Sequence, residues 1–437
     1  VHLEDALNIV DKAKKGLREA RAAEADGKEA VSGSDTLSSL HSEKEQLQGY
    51  VLDAVNAHLL HQSAICCIAI GQIHHGAARL VSSLRLLGDE EATNLLDSKS
   101  SKLLIGMRVL SLSTSMALAS SSQRVLRNIP PTPEALQEAQ DIISVSPLNE
   151  TELPSTMLSA RCRQKLRVAA AYEQLAVALE QCSGLEGNDL DSRAALFCSL
   201  RATKFALQAP FLTPTLARCY ATLSLVHTSH AASGDTSCAQ LNGRLARHYN
   251  TYARHAFDSE ALKDSTKSDM AWGLFTEGLM VADAGKWEHA LRILHAAAQH
   301  LAALQAVRLF EDCRVHIAYI HMARCELSKA RVELNSVLES ASQRGDIPMR
   351  RRCDIGLATI ALYEGRTQEA YELGMHTNAV GLLSLIFLRS GNPAAALYSA
   401  FNAQAPIGGM GGRRNNAAGE LFSSTWTLLQ LLQDALA

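Results

Sequence analysis

Aromatic residues and prolines are scarce in this sequence. Of its 437 residues, 5% are aromatic and only ten are proline. Few prolines leave long stretches that a helix can use without interruption. Ala and Leu, which are strong helix formers, dominate the composition. With 47% apolar and 20% charged residues, the chain resembles globular proteins and not disordered ones. We therefore expect closely packed helices around a large core.

The ten cysteines form no CxxC pair, so they do not have the spacing of a zinc site or a redox motif. Most of them lie within apolar helical patterns. A free cysteine behaves as a small buried hydrophobic residue, and free cysteines are typical of reducing compartments. The sequence therefore predicts a cytoplasmic location, which includes cytoskeletal and ciliary assemblies.

The chain also lacks a basic excess and a long uninterrupted apolar run. Its formal net charge is −3, which argues against a nucleic-acid partner. The apolar stretch "SAICCIAIGQI" (63–73) is too short to cross a bilayer. The longer one, 101–121, is interrupted by Arg108 and several serines. Both stretches favour buried helices, and we expect no membrane insertion.

Helical periodicity extends along almost the whole chain, and no segment alternates like a strand. A first helix is predicted near residues 2–24. Pro, Ser and Gly-rich breaks then divide the chain into three regions. These are an irregular helical N-terminal region with degenerate repeats (1–155), a repeat array (156–403), and a flexible Gly-rich linker with a final helix (404–437).

The array is recognised by side-chain sizes that recur every forty residues. An alanine marks each unit, a small residue precedes it by twelve positions, and a bulky one follows it by four. In the third unit Gly374 takes the bulky position, and a shorter fourth unit follows. The positions that define the pattern are Gly278, Ala290 and Leu294, then Ala318, Ala330 and Leu334, then Ala358 and Ala370.

This spacing resembles the tetratricopeptide repeat (TPR). In that family a small residue of helix A packs on an alanine of helix B, and a bulky residue of helix B seals the seam. The period of forty exceeds the usual ~34 residues, which implies longer turns. The resemblance implies an all-α fold, a TPR-like α-solenoid of antiparallel helical hairpins stacked in a right-handed superhelix. Such an array exposes a concave groove.

The order of several segments also resembles a more particular family. "RQKLRVAAAYEQLAVALEQ" and "AWGLFTEGLMVADAGKWEHALRIL" are similar to the helical C-terminal region of soluble-adenylyl-cyclase-like proteins. Those proteins carry cyclase domains, a P-loop ATPase module and then tetratricopeptide repeats. The resemblance covers roughly residues 40–400, and this chain has no GxxxxGK[ST] loop. It implies the non-catalytic tail of a cyclase/ATPase-type signalling protein.

The sequence favours a protein–protein interaction scaffold or regulatory module over an enzyme. In such modules a partner's peptide or helix binds in the concave groove, often within a larger complex. We assign no catalytic residue, cofactor or metal. Two alternatives remain: a structural subunit of a large assembly, and an enzyme with its site in the N-terminal helical region.

Four residues are candidates for contacting a partner. The run "MRRRCD" places Arg350, Arg351 and Arg352 at a helix start, where guanidinium groups could bind an acidic peptide. Trp272 begins a helix A, whose inner face lines the groove in such arrays. The competing interpretations are a solvated helix face for the arginines and core packing for the tryptophan.

Two histidine pairs, His58/His61 and His227/His230, have the three-residue spacing of metal ligands on one helix face. Cysteines 66 and 67 follow the first pair, but adjacent residues point about 100° apart on a helix. We interpret both pairs as packed or half-exposed helix positions. The "GGMGG" stretch (408–412) lacks the strand and lysine of a phosphate loop, which favours a flexible linker.

Overall fold

The computed structural model describes residues 53–89, 109, 111–112, 160–186, 189–232, 236–259, 262, 267–377 and 379–404. These residues are almost entirely α-helical and include no strand, which confirms the predicted all-α class. The helix predicted near residues 2–24 lies outside the described residues. So do the "GGMGG" stretch and, except for Gln404, the whole predicted C-terminal region.

The helices have the following bounds in chain order. They are α1 (53–69), α2 (Ile73–Leu86), α3 (Ala160–Glu186), α4 (Asp189–Ala206), α5 (Pro214–Ala232), α6 (Thr236–Phe257), α7 (Lys267–Asp283), α8 (Trp287–Ala303), α9 (Val307–Ala323), α10 (Leu327–Arg344), α11 (Ile347–Tyr363), α12 (Thr367–Met375), α13 (Val380–Arg389) and α14 (Pro393–Gln404).

From α3 onward the helices pack as consecutive pairs, α3 with α4 through α13 with α14. The first helix of each pair also contacts the first helix of the next pair, and we call α3, α5, α7, α9, α11 and α13 the A layer. The second helices, the B layer, show no comparable contact with one another among the described residues. Among the described residues, close contact between helices of the same layer is therefore found in the A layer.

The forty-residue pattern corresponds to a packing seam between adjacent helices, both within a pair and between one pair and the next. A Cβ added to Gly278 would lie 2.7 Å from Cγ and Cδ2 of Leu294, so α7 can approach α8 only because residue 278 has no side chain. Leu334 comes equally close to Gly356 of α11, at 2.7 Å from the corresponding Cβ position. The alanines and leucines of the pattern are all fully buried: Ala290, Leu294, Ala318, Ala330, Leu334, Ala358 and Ala370.

The turns within the repeat pairs need a residue with positive φ. Gly285, Gly365 and Gly391 supply it, with φ of 74°, 77° and 74°. Cys325 occupies the same turn position between α9 and α10 with φ of 61°, a conformation that costs energy in a residue with a Cβ. The short left-handed turn ends α7, α9, α11 and α13, and it lets the following B helix run back along each of them.

Helices α1 and α2 share a core with the array. Ala64 of α1 and Ile73, Leu80 and Leu84 of α2 belong to the same apolar cluster as residues of α3 to α9. The hydroxyl of Ser83 also donates to the carbonyl oxygen of Ala57 at 2.8 Å, which joins α2 to α1. This hairpin is therefore packed on the array that follows it.

Candidate functional site

Three polar or aromatic side chains occupy the same register in successive A helices. Trp272, Asp312 and Arg352 are each the sixth residue of their helices, α7, α9 and α11, and are forty residues apart. Each lies six positions before the small residue of the packing seam. The repeat thus places one such side chain per unit along the A layer.

Between α9 and α11, the residues at this register form an ion pair that is also contacted by a histidine and a tyrosine. The Arg352 guanidinium donates to the buried carboxylate of Asp312 and lies 3.2 Å from Nε2 of His316. Burial, and next the charge of Arg352, lower the pKa of His316 to about 3, so this imidazole is neutral. The Tyr319 hydroxyl donates to the carbonyl oxygen of Arg352 at 3.0 Å and orients the start of α11.

The α3–α5–α7 part is centred on Arg218. Its Nε donates to Glu173 at 2.9 Å and its Nη1 to Asp269 at 3.4 Å, so one guanidinium joins three A helices. The guanidinium carbon also lies 5.2 Å from the ring centroid of Trp272, a cation–π arrangement. Thr222 donates to Glu173 at 2.6 Å and accepts from the Trp272 indole N–H at 3.0 Å.

The two parts meet through aromatic rings. Phe275 packs on Trp272 at 5.5 Å and meets the edge of His316 at 5.7 Å, between ring centroids. The result is a continuous set of side chains along the A layer, which we call the polar row. It comprises Glu173, Arg218, Thr222, Asp269, Trp272, Asp312, His316 and Arg352.

A further charged cluster lies beside the polar row. Arg308, near the start of α9, donates to the fully buried Asp346 at 2.9 Å and to Gln181 of α3 at 2.5 Å. Asp346 also caps α11 by accepting from the backbone N–H of Met349 at 3.1 Å. Next to it, Glu311 pairs with Arg344. Arg308 therefore links α9 directly to α3, although α5 and α7 lie between these two helices in the order of the A layer.

The three predicted arginines do not act as one patch. Arg352 joins the polar row, Arg351 donates to the carbonyl oxygen of Thr377, and Arg350 is exposed. Trp272 is only 1% exposed, so in this structure it packs within the A layer and does not offer a free surface. Trp287, by contrast, is 40% exposed at the start of α8.

The histidine pairs are packed positions. His61 is buried, and burial first, then the charges of His58 and Arg218, lower its pKa to about 4. His227 is buried with its Nδ1 3.0 Å from the amide oxygen of Asn242. In the part of the chain that the structure describes, no three His, Cys, Asp or Glu side chains group as metal ligands.

Sequence reasoning missed Asp312, Arg218 and Glu173. Asp312 could have been found, because it lies midway in register between Trp272 and Arg352. Arg218 and Glu173 lie upstream of the clear forty-residue step, where no spacing marks them. Their roles depend on contacts between helices that are far apart in sequence.

No protein-family model matches this chain, and no curated protein matches its sequence. Among the described helices, none is both long enough and apolar enough to cross a membrane. The geometry of the A layer is therefore the basis for assigning a function.

Proposed function

We propose that this chain is a protein–protein interaction scaffold, a TPR-like right-handed superhelix that recognises its partner through the A layer. The observation that carries the proposal is the common register of Trp272, Asp312 and Arg352. Helices that repeat in register form an extended layer along which a peptide or helix can lie. A catalytic centre needs no such repetition.

The order of the helical segments supports a more specific proposal about the parent protein. We propose that the module regulates a cyclase/ATPase-type signalling protein from its non-catalytic tail, as part of a cytoplasmic complex. The resemblance in segment order supports this proposal. The proposal does not rest on any catalytic residue of this chain. It predicts that the array binds either the catalytic part of its own protein or an associated subunit.

Site-specific photo-crosslinking tests the scaffold proposal on the full chain. A photoreactive phenylalanine derivative replaces Arg350, which is exposed on α11, and in a matched chain it replaces Val332, which is 66% exposed on α10 of the B layer. We expect a specific partner to crosslink at position 350 and not at 332. Crosslinking at 332 alone, or equally at both positions, would place the interface elsewhere and refute the proposal.

Charge reversal supplies the second arm of this experiment. Arg350→Glu should weaken capture of the crosslinked partner, because it places a like charge beside an acidic peptide. Lys329→Glu, at an exposed position of α10, is the control with the same change of charge. Equal losses from both variants would indicate non-specific electrostatic attraction and contradict recognition by the A layer.

A further inference from the structure

Helix α1 is covered on most of its surface. Of residues 53–69 only Ile65 is exposed, with 37% of its surface accessible. The buried residues are Val55, Ala57, Leu60, His61, Ser63, Ala64 and Cys67. A helix on the outside of a globular protein usually buries one stripe and leaves the opposite face in water. The wide burial of α1 indicates that it packs against neighbouring helices on more than one side.

The end of α1 rests on the start of α11. A Cβ added to Gly71 would lie 2.6 Å from Cγ of Asp346 and 2.7 Å from its Oδ1. Asp346 is the residue that caps α11 and pairs with Arg308. The turn after α1 therefore sits directly on the charged cluster beside the polar row.

The middle of α1 lies near the other end of the polar row. His61 is close enough to Arg218 of α5 for the charge of Arg218 to lower its pKa. A small cavity is lined by Ala57 and His58 of α1 together with Arg167 and Ala170 of α3. Residues 61 to 71 span about 15 Å at the helical rise of 1.5 Å per residue. Over that distance α1 runs from α3 and α5 to α11.

Helix α2 is fastened to the array separately. The carboxylate of Asp89, just after α2, pairs with Arg201 of α4 at 2.9 Å. Gln164 of α3 donates to the carbonyl oxygen of Leu87 at 3.1 Å. Gly71, with φ of 85°, lies in the turn between the two helices. The hairpin thus has an anchored second helix and a turn about which the first could swing.

We propose that α1 is an internal ligand of the A layer, and that the partner is an amphipathic helix that takes its place. This inference rests on the proposed scaffold function and names the class of partner. The buried residues of α1 define its chemistry: small or apolar side chains at the positions of Ala57, Leu60, Ala64 and Cys67. At the position of His61 the partner carries a residue without a charge, because that position is buried.

A matched pair of glycine variants tests the exchange on the full chain. Gly71→Ala places a methyl group against Asp346, whereas Gly88→Ala has a similar φ of 83° and nothing within 4 Å. The probe is a fluorescent synthetic peptide of residues 53–72, followed by anisotropy. We expect the peptide to bind Gly71→Ala about tenfold more tightly than it binds the unmodified chain. The reason is that overpacking at residue 71 weakens the competing contact of α1, and a factor of ten corresponds to a modest overpacking cost. Gly88→Ala should bind the peptide like the unmodified chain.

The peptide also tests the chemistry of the site. A peptide with His61→Lys should bind the Gly71→Ala chain more weakly than the native peptide, because a fixed cation would be buried at this position. Equal binding of the native peptide to both glycine variants, or equal binding of the two peptides, would overturn the proposal.

Hydrogen exchange on the unmodified chain gives an independent check that needs no variant. If α1 leaves the A layer while the array stays folded, the amides of 53–69 exchange faster than those of α9 and α11. Exchange of all three helices at one common rate would make α1 part of the permanent core and overturn the inference. The crosslinking experiment reports on the scaffold function separately, since it can fail while the peptide still exchanges with α1.

Discussion

Replacing Gly278 with alanine is a sharp test of the packing seam, because the sign of its effect depends on one neighbouring side chain. The new Cβ would lie 2.7 Å from Cγ and Cδ2 of Leu294, which is fully buried. Overpacking of this kind costs about 1–3 kcal/mol. Alanine is a better helix former than glycine by about 1 kcal/mol, which offsets part of that cost. We expect a net loss of about 1 kcal/mol in the free energy of unfolding.

The effect should reverse when the leucine is removed. Leu294→Ala alone should cost about 2–5 kcal/mol, because it leaves a cavity in the seam. In that background the nearest remaining neighbour of the new Cβ is the Ile293 Cγ2 methyl group at 3.5 Å, an ordinary contact, and Gly278→Ala should stabilise by about 1 kcal/mol. The coupling between the two positions is then about 2 kcal/mol.

Urea unfolding followed by tryptophan fluorescence suits this cycle, because the buried Trp272 lies on the same helix as Gly278. The control is Gly243→Ala in α6, whose Cβ would meet nothing nearer than Arg247 Nη1 at 3.8 Å. That change should stabilise the chain, as alanine normally does within a helix. Two results would contradict the role of Gly278 in the close approach of α7 and α8. They are a stabilising effect of Gly278→Ala in the unmodified chain, and an equal change in the free energy of unfolding in both backgrounds.

Three further perturbations follow from the structure. Cys325→Gly should raise the free energy of unfolding by about 1 kcal/mol, because the φ of 61° at this position suits glycine. Gly285→Ala in the equivalent turn should lower the free energy of unfolding. Urea midpoints that shift in the same direction in both variants would contradict this explanation. Arg352→Met should cost about 3 kcal/mol, because it leaves the carboxylate of Asp312 buried without its partner. Asp312→Leu combined with Arg352→Met should recover much of that loss in the same assay. A double variant that is less stable than Arg352→Met would argue against the pairing. His61 has a pKa of about 4 when folded and about 6.5 when unfolded, so its neutral form stabilises above pH 6.5 and that stability is lost as the pH falls toward 4. The chain should lose about 2 kcal/mol between pH 7.5 and 5 relative to His61→Gln, and parallel pH profiles of the two chains would exclude this contribution.

The pairing of helices and the small–large seam could be predicted from the sequence because both are regular. Side-chain size at a fixed step decides how closely two neighbouring helices approach, and Gly278 with Leu294 shows this directly. The division of the three arginines could also have been foreseen. Successive residues point about 100° apart on a helix, so Arg350, Arg351 and Arg352 cannot face one partner together.

The position of α1 could not be predicted in the same way. Its apolar stretch indicates burial, but burial is equally well satisfied against many helices of the array. The contact that fixes its end joins Gly71 to Asp346, and both residues lie in turns without a repeat pattern. Sequence periodicity describes the spacing of neighbours, whereas this contact joins two turns that are far apart in the sequence.

The chemistry of the polar row also bears on whether α1 stays in place. Glu173 and Asp312 are buried charges, and each needs an arginine partner to offset the loss of its hydration. Buried ion pairs of this kind contribute little net stability compared with well-packed apolar side chains. These carboxylates have their arginine partners within the array, and neither needs α1. The same holds for Asp346, which lies against Gly71 but pairs with Arg308. Removal of α1, as proposed, therefore leaves each of these carboxylates with its arginine.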